Sequence, residues 1–205
     1  MTAAPKRISI ADYLAMERRS ETKHEYFAGQ IFAMAGASYV HITITSNCSR
    51  ELGNALRETN CNVLSNDLRV RTLNELYTYP DVVVVCGKPE FDDEQRDTLN
   101  NPLVIIEVLS RSTEGYDRGQ KFLHYRSIPS LREYVLVSQR QMLVEHFARQ
   151  ANGQWVLTTF SGPGETVVFP TLGASIPIAS QYLKVDLPAS PSLRDDGDPT
   201  PPSST

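Results

Sequence analysis

The sequence predicts a mixed α/β (α+β) fold, a central mixed β-sheet flanked by helices. Three observations lead there. Two continuous runs rich in β-branched residues, YPDVVVVC (Tyr79 to Cys86) and PLVIIEVLS (Pro102 to Ser110), lack polar alternation, the pattern of strands buried on both faces. A long stretch from Ser38 carries Val40, Ile44, Cys48, Leu52, Ala55 and Leu56 at helical spacing. Four further strand candidates fill the C-terminal half. The order hairpin, helix, strands, helix, strands builds around one sheet.

Taken along the chain, Ser9 is an N-cap for a short helix to Glu17, with Ile10, Tyr13 and Leu14 on its apolar side. HEYFAGQIFAMAG reads as a hairpin turning at Ala28 and Gly29. The amphipathic helix from Ser38 ends near Asn60, and NVLSN and LRVRT follow as two short strands. GKPEFDDEQRDTLNN is a polar loop between the two buried runs. TEGYDRGQKFLHYRSI is a helix that packs Phe122, Leu123 and Tyr125 near the sheet. REYVLVS, MLVEHFAR, QWVLTTF and ETVVFP are strands, punctuated by Asn152-Gly153 and Gly162-Pro163-Gly164. From Pro188 the chain turns Pro-, Ser- and Asp-rich with one large apolar residue, Leu193. Such a segment cannot offset its ordering entropy by burial. The expected division is a folded domain over 1–187 and a disordered tail over 188–205.

The 205 residues are 40% hydrophobic and 21% charged. A chain of that size needs no disulfide or metal to fold. No apolar run approaches the roughly 18 residues of a membrane span, and no signal-peptide core is present. Cys48, Cys61 and Cys86 show no CxxC or Cys/His spacing, so free buried thiols in a reducing cytosol are expected. The formal net charge of −4 speaks against coating nucleic acid through bulk charge. Half of it belongs to the tail, where Arg194 stands against Asp195, Asp196 and Asp198. Basic residues gather instead at 111–132, where Arg111, Arg118, Lys121, Arg126 and Arg132 face only Glu114 and Asp117. Arg69 and Arg71 alternate on LRVRT and so share a face of that strand.

Each buried run holds a carboxylate: Asp81 at the head of the first, Glu107 between Ile106 and Val108 in the second. An ionised Glu among apolar neighbours is costly unless paired or bound to a cation. Singly, Asp81 reads as a turn residue after Pro80 and Glu107 as the partner of an Arg. Together, on neighbouring strands, they make a hard-oxygen site for Mg²⁺ or Mn²⁺. Lys121 has two readings: a cation brought over the strand end to stabilise developing charge, or a surface lysine paired with Asp117 four residues earlier.

The run YPDVVVVC…NPLVIIEVLSRSTEGYDRGQKFLHYRSIPSLREYVLVSQ resembles the Uma2 family of endonucleases, formerly a domain of unknown function, in the PD-(D/E)XK restriction-endonuclease-like superfamily. HEYFAGQIFAMAGAS, His41 heading the long helix, SNDLRVRT and TLGASIPIASQYL extend the likeness to about residues 8–187. The resemblance implies a restriction-endonuclease-like fold and a metal-dependent endonuclease acting on nucleic acid, with DNA the expected form. Asp81 and Glu107 would be metal ligands and Lys121 the catalytic lysine. The superfamily places a Lys two residues after the second acid; that position here is Leu109, and Lys121 on the following helix matches the Uma2 pattern instead. Glu25 matches an acid before the family's glycine, here Gly29, and would complete the metal site or bind its water. His41 would contact phosphate or metal-bound water, or serve as a core or capping residue. Arg69, Arg71, Arg111 and Arg118 are the candidate nucleic-acid contacts. A homodimer through C-terminal edge strands and a cytoplasmic location complete the expectation. The competing readings are a catalytically inactive module on the same fold that binds nucleic acid or protein, and a hydrolase of another phosphate-bearing substrate.

Overall fold

The computed structural model describes residues 7–187. The proposed tail from 188 lies outside them. The elements are α1 (Ile10–Glu17), β1 (His24–Phe27), β2 (Gln30–Ala33), α2 (Tyr39–Ala55), β3 (Cys61–Ser65), β4 (Arg69–Arg71), β5 (Tyr77–Thr78), β6 (Val82–Cys86), β7 (Thr98–Leu99), β8 (Val104–Leu109), α3 (Glu114–Tyr116), a π-helical turn (Asp117–Lys121), α4 (Phe122–Tyr125), β9 (Glu133–Ser138), β10 (Leu143–Arg149), β11 (Trp155–Ser161), β12 (Thr166–Phe169), β13 (Ala174–Pro177) and α5 (Ile178–Gln181).

The principal sheet has six strands in the order β11-β10-β9-β8-β6-β3. It is mixed: β8 and β9 run parallel, the other pairs antiparallel. The parallel pair needs a crossover, and the segment containing α3, the π-helical turn and α4 supplies it. The expectation of one sheet is corrected. The N-terminal hairpin, LRVRT and the intervening short strands form a second, five-stranded sheet, β2-β1-β5-β4-β7, and β12-β13 is a separate ribbon. The hairpin has its own small core, with Tyr26 packed against Tyr13 of α1 and Tyr77 of β5, the rings stacked or edge-on at 4.9 to 5.9 Å. The hairpin turns where predicted, with Ala28 at φ 49° and Gly29 at φ 85°. A glycine suits the second position because a Cβ there would lie 2.8 Å from the Arg7 Cβ.

The two central strands are buried along almost their whole length, as their composition demands. Side-chain alternation sorts them into two cores. Val82, Val84, Val104, Ile106 and Val108 face Ile44, Cys48 and Leu52 of α2, together with Val167 and Phe169 of the ribbon. Val83, Val85, Ile105 and Leu109 face Tyr125, Ile128 and Leu131 from the crossover. Ser38 caps α2 by accepting the His41 backbone N–H. Among the described residues no helix is long and apolar enough to cross a membrane.

The cysteine expectation holds for Cys48 alone, a buried free thiol. Cys61 and Cys86 are register partners across β3 and β6 and form a disulfide. Twenty-five residues separate them in the chain, so nothing in their spacing announces the pair; antiparallel register creates it.

Ile105, fully buried in the second core, provides a stability test. Ile105→Ala should lower unfolding free energy by about 2–5 kcal/mol, read from the shift of the urea midpoint at unchanged slope.

Candidate active site

Strand register brings the two acids together. β6 pairs antiparallel with β8 through Val82 and Ile106, and one residue further along the same register sets Asp81 beside Glu107. Asp81 lies just before β6, where its Oδ2 accepts the Val108 backbone N–H at 2.7 Å. Glu107 is 3% exposed within an otherwise apolar strand.

The crossover supplies the cation. Asp117, Lys121 and Tyr125 are four residues apart and all buried. The chain passes through a π-helical turn between Asp117 and Lys121, a widened geometry often found at functional sites. The Tyr134 hydroxyl donates to the Asp117 carbonyl at 2.9 Å and anchors that turn to β9. The Lys121 ammonium stands 2.9 Å from Glu107 Oε1, 3.4 Å from Asp117 Oδ1 and 3.6 Å from Glu25 Oε1. The Tyr125 hydroxyl donates to the same Glu107 oxygen at 2.8 Å. Glu25 reaches in from β1 and accepts a hydrogen bond from Thr78 on β5, so the small sheet also contributes to the site. His41, in the first turn of α2, meets Asp81 Oδ1 through Nε2 at 2.7 Å.

Three carboxylates thus surround one ammonium. Burial pushes the Glu107 pKa up to about 8; Lys121 opposes that rise, while Asp81 and Asp117 add to it. Asp117 is raised for the same leading reason, burial, again against Lys121. Burial alone would lower the Lys121 pKa, but Glu107, Glu25 and Asp117 outweigh it and raise it well above the ordinary value. The donor set is oxygen-rich and more negative than Lys121 offsets, which fits a hard divalent cation. Among the described residues no three His, Cys, Asp or Glu side chains form a ready-made metal cage. Asp81 and Glu107 would by themselves offer a cation two carboxylates and leave the rest of its shell to water.

Of the sequence-selected residues, Asp81, Glu107, Lys121, Glu25 and His41 converge. Both readings of Lys121 contain part of the arrangement: it pairs with Asp117, but buried and bound to Glu107. Glu107 pairs with a lysine and a tyrosine where an arginine was the plain expectation. His41 touches Asp81, so it stands behind the acid as its hydrogen-bond partner.

One arginine assignment needs correction. Arg69 is 3% exposed, bonded to Tyr79, Thr98 and Asp97 and lying against the Tyr13 ring; it has no surface to offer a phosphate. Arg71 is tied to Asp92, and Arg118 to Glu114 and Glu145. Alternation puts side chains on a face but does not say which acids wait there. Arg111, in the loop after β8, is exposed. The sequence reading missed Asp117, Tyr125 and Thr78 as site residues. The repeated spacing of four through 117, 121 and 125 was the available signal for Asp117 and Tyr125; Thr78 had none.

Comparison with known proteins follows the same division. The family model Uma2, described as "Putative restriction endonuclease", matches residues 10–179. The uncharacterized protein sll1609 of Synechocystis is 37% identical over 170 residues, spanning 82% of this chain and 96% of that protein. A second uncharacterized Synechocystis protein, slr1290, is 34% identical over 177 residues, with 86% and 92% covered. A crystal structure described as "a putative nuclease belonging to DUF820", from Anabaena variabilis, superposes with a TM-score of 0.71 at 19% identity, covering 85% of this chain and 97% of that one. At that identity the likeness establishes the fold, which is restriction-endonuclease-like.

The charge arrangement can be tested by stability. In Lys121→Met the Glu107 carboxylate loses its counter-charge, a change worth about 3–5 kcal/mol for a buried pair. Glu107 would then hold its proton to still higher pH than the unfolded chain does, so stability falls as pH rises through that range. The variant's deficit in urea unfolding should be smaller in mildly acidic than in mildly alkaline buffer. An equal deficit in both would contradict the assignment.

Proposed function

The chain belongs to the Uma2 family, and from that premise we propose that it is a divalent-metal-dependent endonuclease hydrolysing phosphodiester bonds of nucleic acid, with DNA as the expected substrate. The family is one of restriction-endonuclease type, which makes a nuclease the general reading. The observation that supports the finer one is the Lys121 ammonium, held 2.9 Å from Glu107 where strand register puts Asp81 alongside.

Asp81 and Glu107 would hold Mg²⁺ or Mn²⁺, which when bound supplies a Lewis acid and a lowered water pKa. The remaining work falls to the protein. Lys121 faces the acids with a fixed positive charge and would stabilise the negative charge that grows on the phosphate oxygens as the bond breaks. Because Glu107, Asp117 and Glu25 already surround it, that charge needs little reorganisation during the reaction. Tyr125 holds Glu107 by one oxygen, Oε1. His41 and the Val108 N–H hold Asp81 by both of its oxygens. Arg111, exposed in the loop after β8, would be one contact with the nucleic-acid backbone.

Supercoiled, linear and single-stranded DNA and RNA, each with Mg²⁺, Mn²⁺ or chelator, test this. Cleavage should need the metal. Asp81→Asn and Glu107→Gln should each lose on the order of 10²-fold or more, since even residues behind metal ligands commonly cost 10–100-fold. Mutants that cut as well as the wild type would refute the site; binding without cutting in every condition would favour an inactive binding module.

A further inference from the structure

Gln139 follows β9 directly and lies at the same end of the sheet as the acids, because β8 and β9 run parallel with Leu109 opposite Ser138. It takes part in a hydrogen-bond chain whose direction can be worked out. The Ser38 Oγ accepts the His41 backbone N–H at 3.2 Å as the cap of α2. Its own proton is free to go 3.0 Å to Gln139 Oε1. With that oxygen accepting, Gln139 turns its NH₂ toward His41 Nδ1 at 3.1 Å. An amide NH₂ can only donate, so Nδ1 must be the bare, accepting nitrogen. The imidazole proton then sits on Nε2 and is donated to Asp81 Oδ1 at 2.7 Å. The other Asp81 oxygen takes the Val108 N–H. Each oxygen of an ionised carboxylate has a second lone pair left for another partner.

We propose that Gln139 is a positioning residue: through the chain Ser38–Gln139–His41 it fixes His41 as an Nε2–H donor and so sets the rotation of Asp81 toward a divalent ion. The metal half of this inference rests on the reading of Asp81 as a ligand. An ionised Asp81 can only accept and so asks for the same Nε2 proton; Gln139 adds a second hold on the ring, at Nδ1. Two residues outside the acid cluster, Ser38 capping α2 and Gln139 after β9, thereby hold the ring that holds Asp81. Partners of this kind, one step behind a ligand, commonly change metal affinity 10–100-fold.

The test reads the tautomer and the metal separately. Nitrogen-15 shifts of His41 in the metal-free protein, measured above the ordinary histidine titration range, should show a bare Nδ1 and a protonated Nε2. Gln139→Met removes the donor at Nδ1 and leaves the ring held at Nε2 alone. Thermal unfolding should stay near wild type, since Gln139 is partly exposed. Mn²⁺ affinity by calorimetry should weaken 10–100-fold in Gln139→Met. A protonated Nδ1 in the wild type would overturn the assignment. Unchanged Mn²⁺ affinity in Gln139→Met would overturn the link to metal. A wild type that binds no Mn²⁺ would sink the reading of Asp81 as a ligand and leave the His41 assignment to be judged by its nitrogen shifts.

Discussion

The contact between Lys121 and Glu107 is the one on which the rest of the site depends. Glu107 lies in a strand whose other side chains are apolar, and a lone carboxylate there would be driven to protonate. The ammonium at 2.9 Å opposes that drive and holds the rise of its pKa to about 8. Lys121 in turn is buried and requires carboxylates of its own, which Asp117 and Glu25 provide. One ion pair therefore ties together β8, the π-helical turn and the hairpin strand β1. None of these charges could be buried singly, and each makes the next one affordable.

Asp81 belongs to a second arrangement, joined to the first by backbone. It caps the end of β6, accepts an N–H from β8 and a ring nitrogen from α2. Helix α2 packs its apolar side on one face of the sheet, and the crossover packs on the other. The two acids consequently receive support from opposite layers: Asp81 from α2 and Glu107 from the crossover. Mixed topology makes this meeting possible. An antiparallel β6–β8 pair places the start of one strand at the end of the other, and the parallel β8–β9 pair adds the end of β9, with Gln139, to the same edge.

How much of this was legible depends on whether the physics involved is local. A carboxylate within VIIEVL is conspicuous in sequence because desolvation cost depends on the immediate neighbours. The Ser38 cap and the Ala28-Gly29 turn are likewise short-range, and both formed as read. Lys121 was ambiguous because a spacing of four to Asp117 describes a surface pair and a buried one equally well. The arginines show the converse: alternation put Arg69 and Arg71 on one face, while Asp97 and Asp92, more than twenty residues away, came to occupy them. The pairing of Cys61 with Cys86 and the separation of the hairpin into its own sheet arise from register and packing over similar distances.

The sequence by itself determined the fold class, the two buried strands, the long capped helix and the candidate acids, since hydrophobic period, capping and burial of charge are written within a few neighbouring residues. Only the tertiary structure decided which charge meets which. It set Lys121 among three carboxylates, turned His41 toward Asp81, enlisted Tyr125 and Gln139, and withdrew Arg69 from the surface. Ion pairs and hydrogen bonds act over a few ångströms, and the residues that come within that range are chosen by strand register and helix packing, which no local stretch of sequence contains.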